Sequence, residues 1–163
     1  MLQSIHSTIK LFRKPAIAES LIVALNPYLE IADAAILTYN ADVLTDMYLT
    51  CLNMWSLPLQ RSTLIGLPTF VLRSQTGLLH KLIVIIMGEL IRVFEFYSSG
   101  YSDLSNAPPS EALELIHDVV QIGQSLYALS PQSIDRLFNT LEGTSQAVDK
   151  FQREVEREAA VVN

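Results

Sequence analysis

The run LLHKLIVIIMGELIRVFEFY, Leu78 to Tyr97, constrains this chain more than any other feature. Twenty mostly apolar residues in a row are either a membrane span or a helix set deep in a bundle. The charges decide between them. On a helical wheel Lys81, Gly88, Arg92 and Glu95 share one narrow face, with Glu89 at its edge. Glu89–Arg92 and Arg92–Glu95 are spaced to pair one turn apart. A span would bury Glu89 and Arg92 near its middle, at about 2.5–3.5 kcal/mol each, against about 0.3–0.6 kcal/mol returned per large apolar residue. The balance predicts a central bundle helix with one polar edge, and no transmembrane span.

The chain has 163 residues, enough for a single domain with a sizeable core. Its composition is 50% hydrophobic and 17% charged, where about a quarter charged is usual. Mean hydropathy is +0.30. So apolar a chain either builds a large core or has apolar surface covered by something else. The net charge of −6 argues against nucleic-acid binding. Residues 1–18 carry Lys10, Arg13 and Lys14 and no acid, whereas 19–60 and 98–135 each carry five acids and no base. Acidic blocks thus flank a basic, apolar middle, as expected of acidic helices packed around the central one. A lone cysteine, Cys51, excludes an intramolecular disulfide framework and a cysteine-built zinc site; it reads as a small buried hydrophobe in a reducing compartment such as the cytoplasm.

Spacings of three and four recur along the chain and strand alternation is scarce, which predicts an all-α, single-domain bundle of about six to seven helices. The expected segments are a basic amphipathic N-terminal helix over 1–14, a second over about 16–25 ended by Asn26-Pro27, a third over about 28–38 and a fourth over about 41–56. Pro58 and Pro68 then punctuate a less regular stretch, with short helices over 59–66 and 68–74. The apolar helix follows over about 76–98, then a main loop over 98–110, a helix over about 109–128, and a long C-terminal helix over 131–159 opened by Ser130-Pro131.

The sequence carries no phosphate-binding glycine loop, nucleophile elbow or zinc-protease motif, and no enzyme or cofactor is expected. His6, His80 and His117 fall on three different predicted helices. Glu114 and His117 form one Glu-x-x-His pair, whereas a carboxylate-bridged metal bundle needs two; with Glu111 and Asp118 they read as a solvated face. Phe94, Phe96, Tyr97, Tyr101, Trp55 and Tyr48 would line a pocket for an apolar small molecule or, more ordinarily, pack the core.

Two segments suggest a mode of action. Ile134, Leu137, Leu141, Thr144, Val148, Phe151 and Val155 repeat at alternating spacings of three and four, a heptad seam with one polar position and weakened by Gly143. Such a seam pairs with another chain or packs along its own domain. The N-terminal segment has three readings: a first bundle helix whose bases face the acidic blocks, a contact for an anionic membrane surface through Lys10, Arg13 and Lys14, or an organellar presequence. No secretory signal is expected, since Glu19 interrupts AIAESLIVAL. The expected function is therefore protein–protein contact, as a homo-oligomer or with a protein partner, through Ile134, Leu137, Leu141, Val148, Phe151 and Val155. A peripheral membrane role is the alternative, and an apolar-ligand binder the third.

Overall fold

A computed structural model describes residues 1–73, 79–99 and 110–162. Among them there are nine helices and no strand, so the protein is all-α. The chain divides into two compact units, residues 1–82 and 83–163.

The first unit begins with α1 (Leu2–Phe12), α2 (Pro15–Ile31) and α3 (Ala34–Tyr39). It continues with α4 (Ala41–Leu52) and α5 (Leu57–Arg73). Helix α1 buries Leu2 and Ile9, packs on α4 and ends at Arg13, whose backbone turns left-handed at φ 48°. Pro15 occupies the first turn of α2, where its missing N–H breaks no helical bond. The Asp33 side chain accepts from the Ala35 N–H at 3.1 Å and so starts α3. A turn at 53–56, with Trp55 at φ 54°, separates α4 from α5.

Two expected breaks do not occur. Pro27 lies inside α2 and Pro68 inside α5. An interior proline costs about 3 kcal/mol. Burial on both sides of each proline outweighs that cost: Ile22, Leu25 and Leu29 of α2, and Leu64, Leu67, Phe70 and Val71 of α5, are all buried. Each such side chain contributes about 1.5–3 kcal/mol. The two helices pack on one another. The far end of α2 is also held from α5, since the Arg73 guanidinium donates to the Leu29 carbonyl. Gly66 makes the close approach possible: a Cβ there would run into Asn26 Oδ1 and stand 2.8 Å from the Tyr48 hydroxyl.

The boundary between the units falls within α6 (Leu79–Ser99), and the second unit continues with α7 (Ser110–Leu129), α8 (Pro131–Leu141) and α9 (Gln146–Val162). The exposed edge of α6 is the predicted stripe: Lys81 and Arg92 are exposed, Gly88, Glu89 and Glu95 half-buried, with Ile85 in their midst. Arg92 pairs with Glu89 at 3.2 Å. The opposite face is buried, through Leu82, Ile83, Ile86, Met87, Leu90, Ile91, Val93, Phe94 and Tyr97, while Phe96 is exposed. Among the described residues no helix is long and apolar enough to cross a membrane. The predicted main loop over 98–110 lies outside the described residues from 100 to 109, and Tyr101 with it; Ser98 and Ser99 are helical and Ser110 opens α7.

The C-terminal segment corrects another expectation. The helix predicted over 131–159 is two helices, broken at 142–145, where Gly143 takes φ +77°. Glu142, Gly143 and Thr144 are exposed, so no burial there rewards continuing the helix, and glycine adopts the left-handed conformation at no steric cost. The Ser145 hydroxyl then accepts from the Val148 N–H at 3.1 Å and opens α9.

Candidate interaction site

The heptad seam is largely consumed inside the second unit. Ile134, Phe151 and Val155 are completely buried and Val148 nearly so. The Phe151 ring lies 5.1 Å from that of Phe94 and 6.2 Å from that of Phe138. Gly123 lets α7 close on α9: a Cβ there would meet the Phe151 ring at 2.9 Å and Val155 Cγ2 at 3.0 Å. Gln124 Nε2 donates across to the Glu154 carbonyl at 3.1 Å, and the Tyr127 hydroxyl donates to Asp135 at 3.1 Å. The spacing that suggests an intermolecular seam is therefore the core of this unit. Leu137 and Leu141 differ, since both are only half-buried. Leu137 lines a shallow depression with Val84, Ser133, Arg136 and Thr140.

A second depression lies in the first unit, over the α2–α5 pair. Val23, Asn26, Pro27, Glu30, Ser62 and Ile65 line it. Val23 is 53% exposed and Ile65 67% exposed, so two large apolar side chains face water on either side of one groove. Its floor is fixed by polar bonds: Asn26 Nδ2 donates to the Ser62 carbonyl at 2.9 Å, and the Tyr48 hydroxyl donates to Asn26 Oδ1 at 3.3 Å. Nothing in the sequence spacing marks this site. Val23 and Ile65 lie 42 positions apart, and only the α2–α5 packing brings them together.

All three N-terminal cations are exposed to water, but Lys10 is engaged in an ion pair. Lys10 Nζ lies 2.8 Å from Asp46 Oδ2, and His6 Nε2 donates to the same oxygen at 2.6 Å. These bonds from Lys10 and His6 hold the Asp46 carboxyl below its usual range. The basic first helix thus meets an acid of α4, as the bundle-helix reading expects. Arg13 and Lys14 are exposed at the α1–α2 corner.

The other chemistry-bearing side chains have plain surroundings. Cys51 is buried in α4, and burial pushes its thiol up to about 12 despite a hydrogen bond with Thr63, which makes it inert near neutral pH. Burial likewise pushes the Tyr48 hydroxyl up. Tyr48 stacks on Phe70 within the first unit, with ring centres 6.2 Å apart. In the second unit Phe96 meets Tyr97 edge-on at 5.0 Å. Glu114 and His117 are exposed on α7. Among the described residues no three His, Cys, Asp or Glu side chains gather as a metal site would require. Comparison with known proteins adds no identity, because no family model, no curated protein and no solved structure matches this chain.

Proposed function

We propose that this is a non-enzymatic helical protein that works through protein–protein contact, by self-association or as an adaptor. The observation that carries this reading is the groove over α2 and α5, where Val23 and Ile65 stand exposed above a floor held by Asn26 and Tyr48. Scattered exposed apolar residues are ordinary on any protein surface. Two of them flanking one depression with a fixed floor are the kind of anchor position on which binding energy concentrates. Its one charged lining residue is Glu30, so an apolar side chain seats there without burying an ion pair. A second copy of the chain is the leading partner, with the Leu137 depression as a further contact in the same assembly.

Absolute mass by light scattering across a wide concentration range tests this. The wild type is expected to be a defined oligomer. Val23→Asp with Ile65→Asp is expected to return it to monomer with far-UV circular dichroism unchanged, since both side chains are exposed in the chain itself. Leu137→Asp with Leu141→Asp asks the same of the second depression. An oligomer whose mass neither pair alters would remove both surfaces. A wild type that is monomeric throughout would exclude self-association and leave the adaptor role, to be pursued by capture of a partner that the Val23→Asp, Ile65→Asp variant no longer retains.

A further inference from the structure

We propose that the corner between α1 and α2, Leu11 to Lys14, is a docking tip for an anionic lipid surface. The inference stands apart from the groove over α2 and α5. The corner places two consecutive large apolar side chains in water, with Leu11 77% and Phe12 54% exposed. Two exposed cations, Arg13 and Lys14, follow directly. No acid occurs in residues 1–18, and none lies in the first turn of α2.

The geometry differs from that of a helix lying flat on a membrane. Such a helix needs its apolar stripe for lipid. Here Leu2 and Ile9 of that stripe are buried, and Lys10 is held by Asp46 of α4. What remains is the end of the helix. Arg13 reverses the chain in a left-handed conformation, its N–H still bonded to the Ile9 carbonyl at 3.0 Å, and the four side chains are presented at a turn. A protruding apolar pair needs a medium that yields to it. The headgroup region of a bilayer does so, whereas a protein partner must offer a preformed pocket. The charge layout adds orientation, since the acid-rich blocks from Glu19 onward are repelled by an anionic surface and the corner is attracted to it.

Flotation of the full chain with vesicles tests the proposal, using phosphatidylcholine alone and phosphatidylcholine with about a third phosphatidylserine. The protein is expected to float with the anionic vesicles, to stay behind with the neutral ones, and to be released by salt. Phe12→Ser is expected to weaken binding about tenfold. Arg13→Gln with Lys14→Gln is expected to weaken it about 25-fold, at roughly fivefold per cation. Phe12→Trp supplies an independent signal, an emission shift to shorter wavelength on the anionic vesicles as the ring leaves water. Circular dichroism checks that each variant is folded.

Three results would each overturn the proposal. One is a wild type that does not float with the anionic vesicles at low salt. Another is a Phe12→Ser protein that binds undiminished while the Arg13, Lys14 variant does not, which would mean that charge alone draws the chain to the vesicles and no apolar tip enters the lipid. The last is a Lys10→Gln protein that loses as much binding as the Arg13, Lys14 variant, which would place the contact along α1 and not at its end.

Discussion

Helices α2 and α5 run through their prolines, while the segment that holds α8 and α9 breaks where no proline stands. The contrast between the two units shows what decides a helix boundary. Around Pro27 and Pro68 the chain buries leucines and a phenylalanine on both flanks, and the lost backbone bond costs less than abandoning either flank. Around Gly143 the nearest buried side chains, Phe138 and Val148, stand more than a turn away on each side, and the exposed residues between them leave the backbone free to turn. Breakers act locally, and burial overrides them where it lies within a turn of the breaker on both sides. The same contrast appears at close helix contacts. Gly66 makes room for polar groups, Asn26 and Tyr48, and Gly123 makes room for Phe151 and Val155.

The hardest way to break the comparison is to remove the centre of the second unit. Phe151→Ala is expected to destabilise by about 3–5 kcal/mol in urea unfolding, while Leu141→Ala, at a half-buried place on the same seam, costs much less. Equal losses would mean that the seam is uniformly buried after all. Next is Gly66→Ala, where the new methyl meets Asn26. A loss of about 1–3 kcal/mol is expected, and a stabilised protein would show that α2 and α5 are not so closely packed.

Two glycines then sharpen the argument about the break. Gly143→Ala is expected to cost about 1 kcal/mol, because alanine is strained at φ +77°; in a continuous helix the same change would stabilise. Gly88→Ala, in α6 with open space around its Cα, is expected to stabilise by up to about 1 kcal/mol. If both changes stabilise, residues 131–159 form one helix.

The smallest effect concerns α1 on α4. The Asp46 carboxyl titrates below its unfolded value of 3.8 because Lys10 and His6 bond to it. Its contribution is therefore fully present above that value and is lost as the pH falls through the depressed folded one. The group is 47% exposed, so the contribution is on the order of a few tenths of a kcal/mol. Urea unfolding at descending pH is expected to show the wild type losing this increment below about pH 4, with Asp46→Asn lacking it throughout. Parallel curves for the two proteins would remove the ion pair from the account of α1.

Part of the candidate surface was legible in residue order alone. The exposed cations Arg13 and Lys14 stand out because no acid accompanies them, and the half-buried Leu137 and Leu141 belong to the visible heptad pattern. The Val23–Ile65 groove was not legible, since a pair of apolar residues 42 positions apart carries no local signal. The engagement of Lys10 was hidden for the same reason, because Asp46 reaches it from another helix.

By itself, then, the sequence determined the all-α class, the polar edge of α6 and the burial of Cys51, because three-to-four spacing and the placement of single charges are local properties that any helix must obey. The tertiary structure alone decided that α2 and α5 continue past their prolines, that 142–145 is a break, that most of the heptad seam is core, and which cations remain available. Those outcomes depend on whether burial on one element outweighs a local cost on another, and that comparison exists only once the elements have met.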